Sequence, residues 1–228
     1  MAGATLNGSL RTTAYTISSN NATVTNSGAV TGLGLPAFLA KSTGATLINN
    51  GSIFGNPTTA IVVNPSASLN IVNNGNVLGI KGTAINYIAT SLGGAITQSG
   101  GTIQGGIFLS GLSTTLRVTG GAINGFILDQ TPASGAAGSS QNRGGVVNFD
   151  LGAGSFTTNG RIEVGSVNVQ SGTVVLGNDV YVSGGQFGLV LTNSATLQVN
   201  GLRTLTGSFV QNAAGTLVMQ VSPAAHRS

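Results

Sequence analysis

The sequence predicts an all-β protein that folds as a parallel β-helix, or β-solenoid, of about ten coils. Three observations predict this fold: a corner pattern that recurs along the chain, apolar residues that alternate with polar ones between the corners, and a very low content of charge. Repeats of about 20 to 50 residues are typical of solenoids, because each repeat buries its apolar face against its neighbours.

The corner is clearest at residues 67–79, where the sequence is ASLNIVNNGNVLG. Residues 21–32 and 44–55 share its β-branched run, its Asn/Ser-Gly pair and its closing glycine. The corner glycines of the three copies are 23 and 24 residues apart. Strands of about 5 residues joined by short turns make a coil of this length.

The composition favours stacked strands over a large globular core. Charged residues make up 5% of the 228 residues, against about a quarter in an ordinary soluble domain. A hydrophobic content of 40% and a net charge of +4 argue against disorder. The eight basic residues are scattered, so the pI of 10.1 does not predict a nucleic-acid partner.

Short apolar runs predict strands in order along the chain. The predicted strand regions include 17–32, 60–63, 69–72, 84–88, 103–109, 116–118, 123–128, 146–151, 161–165, 173–177 and 195–221. Residues 33–40 are compatible with a helical turn, although Pro36 argues against a long helix. We expect 1–221 to form a single solenoid fragment with an inserted loop at about 130–145, and 222–228 to be a disordered tail.

Asparagine has two expected roles in the coils. It tolerates sharp corners, and equivalent side chains on adjacent coils can hydrogen-bond as a ladder. The ladder candidates are Asn26, Asn49, Asn73 and Asn74. In 67–79 we expect a turn at Asn73, Asn74 and Gly75, core positions at Leu69, Ile71 and Val77, and outward side chains at Asn70 and Asn76. Antiparallel hairpins are the competing fold, since Asn-Gly also favours hairpin turns.

Few residues could support catalysis or bind a metal. The acidic residues are Asp129, Asp150, Glu163 and Asp179, and the one histidine is His226. Asp150 and Glu163 could share a face of successive turns as a glycosidase-type carboxylate pair. A β-helix carbohydrate-active enzyme, a polysaccharide hydrolase or lyase, is therefore the alternative function. We expect no enzyme, no metal site and no cofactor.

Threonine-rich segments raise the possibility of ice binding by a flat threonine array. Such an array needs the same Thr-x-Thr on every coil. We expect Thr46, Thr97 and Thr115 not to keep register with Thr23 and Thr25, which argues against this function.

Two segments of the second half resemble a known family. Residues 167–177 (VNVQSGTVVLG) and 195–221 (ATLQVNGLRTLTGSFVQNAAGTLVMQV) resemble the strand repeats and the C-terminal passenger region of bacterial autotransporters, the type V secreted proteins. The NxGxVxG corners upstream are similar to those of adhesin-type members, so the resemblance covers nearly the whole chain. It implies a right-handed parallel β-helix displayed outside a Gram-negative cell.

The resemblance also implies an expected function and location. The chain would be a structural or adhesive module at the cell surface that mediates adhesion or self-association. Its partners would be a second copy of itself or a host surface protein or glycan, and not nucleic acid. Outward Asn70 and Asn76 are the candidate binding residues. Membrane contact is expected only through a β-barrel outside this chain. The N-terminus does not resemble a signal peptide, so if the protein is exported we expect this chain to be an excised piece of it.

Overall fold

A computed structural model describes residues 3–12, 14–110, 114–130, 144–182 and 190–219. Within these ranges all regular structure is β-strand, and every strand pair is parallel. The strands stack as a parallel β-solenoid of about eight turns. The predicted solenoid is therefore confirmed, and the competing prediction of antiparallel hairpins is wrong. The right-handed sense and the count of about ten coils stay predictions.

The first sheet is one long column of stacked strands, numbered in chain order. Its path is β1 (Gly3–Leu6), β4 (Thr23–Asn26), β7 (Ala45–Asn49), β10 (Leu69–Asn73), β12 (Gly94–Gln98), β14 (Thr114–Val118), β17 (Val146–Thr158), β19 (Ser166–Leu176), β21 (Val190–Asn193) and β24 (Ser208–Gln211). The second half of β19 pairs separately with β22 (Thr196–Val199), which pairs with β25 (Thr216–Met219).

The second sheet contains the other strands of each coil. Its path is β2 (Ser9–Thr12), β5 (Ala29–Leu33), β8 (Ser52–Asn56), β11 (Asn76–Tyr87), β13 (Thr102–Ser110), β16 (Ile127–Gln130), β18 (Ile162–Val164), β20 (Val180–Val182) and β23 (Leu205–Thr206). Off this path lie β3 (Tyr15–Ile17), β6 (Phe38–Ala40), β9 (Ile61–Val63) and β15 (Ala122–Asn124). Both parts of β11 pair with β13, so these two strands join two strand columns into one sheet.

The core is a thin column of apolar side chains that runs along the inside of the coils. In β7, for example, buried and half-buried residues alternate, as expected for a strand with one face inside. Residues in register on successive strands of the first sheet are all buried: Val24, Leu47, Ile71, Ile96, Leu116, Val147, Val167 and Leu191. This continuity explains how a chain with few aromatic residues builds a core.

Glycine is required where the coils turn from the first sheet to the second. A Cβ on Gly51 would lie 2.0 Å from the carbonyl oxygen of Gly28, and a Cβ on Gly75 would lie 2.0 Å from that of Gly51. The corner repeat seen in the sequence is therefore a column of close backbone contacts. Because the corners stack directly, any side chain there would push neighbouring coils apart.

Two expectations for irregular segments have different outcomes. Residues 33–40 contain no helical turn: β5 ends at Leu33 and β6 begins at Phe38, with Pro36 in the connection. Pro36 suits this position because it cannot donate a backbone hydrogen bond to the ladder. The expected loop at about 130–145 lies mostly outside the described residues, as does the expected tail at 222–228. On either side of 131–143 the stacking continues, with β14 paired to β17 and β16 to β18.

Candidate binding surfaces

A buried ladder of amide side chains runs inside the first corner. The amide nitrogen of Asn26 donates to Asn49 at 2.8 Å, that of Asn49 donates to Asn73 at 2.7 Å, and that of Asn73 donates to Gln98 at 2.8 Å. All four side chains are fully buried. The predicted ladder is confirmed at Asn26, Asn49 and Asn73. Because it is inaccessible to a ligand, its role is to satisfy polar groups within the fold.

Asn74 belongs to a second, exposed ladder rather than to the buried one. Its amide nitrogen donates to Asn50 Oδ1 at 2.8 Å, and its own Oδ1 accepts a hydrogen bond from the Ser99 hydroxyl. Successive residues of a strand point to opposite sides, which places Asn73 inside and Asn74 outside. The corner therefore has an inner and an outer row of amides.

The two asparagines predicted as binding residues are exposed but lie on different strand columns. Asn70 is on β10 of the first sheet, where its Oδ1 accepts from the backbone amide of Ala95 at 3.0 Å. Asn76 begins β11 of the second sheet, where its Oδ1 accepts from the backbone amide of Thr102 at 3.2 Å. The corner at Asn74 and Gly75 separates them, so they do not form one site. As expected, Leu69, Ile71 and Val77 are buried.

Asn76 lines a cleft on the outer face of the second sheet. The cleft has a volume of about 420 Å³, and its lining residues are Phe54, Asn76, Val77, Leu78, Thr102, Gln104 and Asn124. Phe54, Leu78, Gln104 and Asn124 are in register on β8, β11, β13 and β15. They therefore form one outward row across four coils, apolar at one end and amide at the other. We call this site the second-sheet cleft.

The amides of the second-sheet cleft keep hydrogen-bonding capacity for a ligand. Asn76 and Asn124 each use Oδ1 within the fold, the latter to accept from Asn159 at 3.2 Å. Among the described residues neither NH₂ group has a partner, so both remain as donors. Gln104 is exposed and makes no side-chain hydrogen bond to any other described residue. The cleft thus combines an apolar platform with convergent neutral polar groups, the usual composition of a small-molecule site.

The sequence contains a signal for this cleft, which was not among the predicted sites. Phe54, Leu78, Gln104 and Asn124 each follow a corner glycine by three residues. The corner glycines stack directly, so positions at a constant distance after them also stack. Aligning the sequence on its corner glycines would have brought these four side chains together.

The outward side chains of the first sheet are mostly half-exposed, and few of them are charged. Thr23 pairs with Thr46, and Thr115 lies in the same column; Thr25 and Thr97 share the next outward column. The expectation that these threonines do not keep register is therefore wrong, because turns of unequal length absorb the irregular spacing. The array is still interrupted, by Asn70 and Ala95 in one column and by Ile48, Val72 and Arg117 in the other.

Asp150 is held in a local polar network on the first sheet. Its Oδ2 lies 2.5 Å from the Arg117 guanidinium, and its Oδ1 accepts from the Ser171 hydroxyl at 2.7 Å. The Ser171 hydrogen bond, followed by the interactions with Arg117, lowers the pKa of the Asp150 carboxyl below its ordinary value. A carboxyl with a lowered pKa is a poor general acid at neutral pH.

The other carboxylates lie on or beside the second sheet. Glu163 on β18 pairs with Arg161, whose guanidinium also lies 4.2 Å from the centre of the Tyr181 ring. Asp179, just before β20, accepts from the backbone amide of Thr204 at 2.8 Å. The alternative in which Asp150 and Glu163 share one face does not occur, since the two residues belong to different sheets. Glu163 and Asp179 are on neighbouring coils, and each has a partner.

Asp129 is buried near the C-terminal end of β16, within the second sheet, where its Oδ2 accepts from the backbone amide of Gly145 at 2.7 Å. His226 lies outside the described residues. Across the part of the chain that the structure describes, no three His, Cys, Asp or Glu residues are grouped so that they could hold a metal ion. The same residues include no helix of the length and apolarity that a membrane span needs.

Comparison with protein families, with curated proteins and with solved structures finds no match to this chain. Its function must therefore be argued from its own surfaces.

Proposed function

We propose that this chain is a non-catalytic structural and adhesive module. It would be a passenger of the autotransporter type, displayed on or secreted from a Gram-negative cell. Its partners would be further copies of itself or a host surface. The observation that carries the proposal is the outer face of the first sheet. It presents in-register columns of Thr, Asn, Ser, Val and Ile along the stacked coils.

This face suits association between two copies because it combines many weak contacts with little repulsion. Half-exposed threonines and asparagines supply hydrogen-bonding groups, and the isoleucine and valine between them supply apolar area. The four coils from Thr23 to Thr97 present no charged side chain in these two columns. Like charges that face each other across an interface oppose association, and these columns bring none together.

The alternative, a carbohydrate-active enzyme, has one supporting observation: Glu163 and Asp179 lie on neighbouring coils. Against it, Glu163 is paired with Arg161, and Asp179 accepts a backbone hydrogen bond. Both acidic groups thus have roles in the fold, and we favour the adhesive function. Loss of polysaccharide cleavage in Glu163→Gln, measured by release of reducing ends, would support the enzyme instead.

Self-association is tested by sedimentation velocity over a range of concentrations and by settling of cells that display the chain. We expect larger species to appear as the concentration rises. Thr97→Glu places a like charge on the first-sheet face of both copies and should weaken association at least about tenfold. Thr31→Glu, a half-exposed threonine on the second sheet, is the matched control and should leave association unchanged. A strict monomer together with no settling would refute self-association.

A further inference from the structure

We propose that the second-sheet cleft binds a neutral oligosaccharide. This inference adds a ligand class to the proposed adhesive function. It rests on that function in one respect, since oligosaccharide binding and adhesion both need an exposed solenoid. The cleft lies on the second sheet, whereas the proposed self-association uses the first, so the two can fail separately.

The apolar half of the cleft suits the C–H face of a sugar ring. Phe54 and Leu78 are in register on adjacent strands, and both are half-buried, so each exposes part of its side chain above the sheet. Beneath them Val77 is fully buried and supports the platform. Pyranose rings carry C–H groups on one face, and packing that face on an aromatic and an aliphatic side chain removes apolar surface from water.

The polar half of the cleft suits hydroxyl groups. Gln104 and Asn124 continue the row of Phe54 and Leu78, and Asn76 lies beside it on β11. A carboxamide carries both a donor and an acceptor, so it can hydrogen-bond two neighbouring hydroxyls at once. Gln104 has both groups available among the described residues, and Asn76 and Asn124 each keep an NH₂ donor.

The absence of charged side chains from the cleft lining favours a neutral ligand. Its seven lining residues carry no charge. A carboxylate, sulfate or phosphate bound there would lose water without gaining an opposite charge, which is unfavourable. Hydroxyl groups lose less on leaving water and regain their hydrogen bonds from the amides.

The length of the cleft indicates an oligosaccharide rather than a single sugar. The row from Phe54 to Asn124 crosses four strands. Adjacent strands are about 4.8 Å apart, so the row is about 14 Å long. Its volume of about 420 Å³ also lies in the usual range of ligand sites.

The experiment titrates the whole chain with cellotetraose, maltotetraose and mannotetraose, with trigalacturonate as the charged comparison, and follows binding by saturation-transfer NMR. We expect at least one neutral tetrasaccharide to bind with a millimolar Kd, and trigalacturonate not to bind. Gln104→Ala and Phe54→Ala should each weaken binding at least about fivefold. Asn200→Ala removes an exposed asparagine that follows β22 and does not line the cleft, so it is the matched control, with no expected change.

Gln104 is exposed, so Gln104→Ala tests the cleft without disturbing the core, and thermal unfolding followed by circular dichroism confirms that the variant folds. The proposal is overturned if no neutral tetrasaccharide binds at concentrations up to about 10 mM. It is also overturned if Gln104→Ala binds as tightly as the wild type. Sedimentation of Gln104→Ala should match that of the wild type, which separates failure of the cleft from failure of self-association.

Discussion

The Asn49 side chain donates a hydrogen bond of 2.7 Å to Asn73 on the next coil, and both side chains are fully buried. Asn49 also accepts from Asn26 and donates to the carbonyl oxygen of Asn76 at 3.2 Å. One amide thus connects three coils and the next corner. Such a buried polar group stabilises the fold only while every partner stays in register.

Asn49→Ala should lower the free energy of unfolding by at least about 2 kcal/mol, because it leaves several buried groups without partners. Asn50→Ala, one residue away, removes an exposed amide that accepts a hydrogen bond from exposed Asn74, so it should cost less than about 0.5 kcal/mol. Urea unfolding of both variants measures the difference. Equal costs would mean that the inner ladder has no special role.

Gly51→Ala should destabilise the chain by at least about 2 kcal/mol, because the added Cβ would lie 2.0 Å from the carbonyl oxygen of Gly28. The matched change is Gly3→Ala, whose Cβ would meet only the carbonyl oxygen of Thr23 at an ordinary 3.8 Å. We expect the second variant to unfold like the wild type. The urea midpoints of the two variants compare a stacked corner with an open strand position, and a stable Gly51→Ala would contradict the close contact.

Ser171→Ala should raise the pKa of Asp150, because it removes the hydrogen bond that contributes most to lowering it. In the wild type the folded pKa lies below the unfolded value of about 3.9. The stability that this carboxylate adds is therefore present above that value and is lost as the pH falls through the folded pKa. NMR titration of the Asp150 carboxyl in both proteins checks the shift, and an unchanged pKa in Ser171→Ala would exclude the serine as its cause.

Tyr87→Phe should make stability less sensitive to alkaline pH. The Tyr87 hydroxyl is fully buried and donates to the carbonyl oxygen of Leu69 at 2.6 Å. Burial raises the pKa of this phenol, so only the unfolded chain ionises it near pH 10. The wild type should lose stability as the pH rises above about 10, and the variant should lose less.

Urea midpoints between pH 8 and pH 11 follow this effect in both proteins. At neutral pH the variant should be less stable by about 1 kcal/mol, through loss of the hydrogen bond. If the urea midpoints of wild type and variant fall in parallel as the pH rises, Tyr87 ionises in the folded protein as readily as in the unfolded chain.

Much of the fold could be predicted because its determinants are local. The Asn/Ser-Gly corners, the apolar alternation and the inward positions of Leu69, Ile71 and Val77 follow from the period of a strand and from the repeat. The candidate sites were harder to predict. Exposure of Asn70 and Asn76 followed from the same alternation, but nothing local showed that a corner puts them on different sheets.

By itself the sequence determined the repeated unit of this protein: where each coil turns, which side chains face inward and how little charge its surface carries. Only the tertiary structure decided which residues of different coils meet. It placed Thr23 beside Thr46, separated Asp150 from Glu163 and aligned Phe54 with Gln104 across the second-sheet cleft. The physical reason is register: connections of unequal length shift residue numbers between coils, and backbone pairing alone fixes which side chains become neighbours.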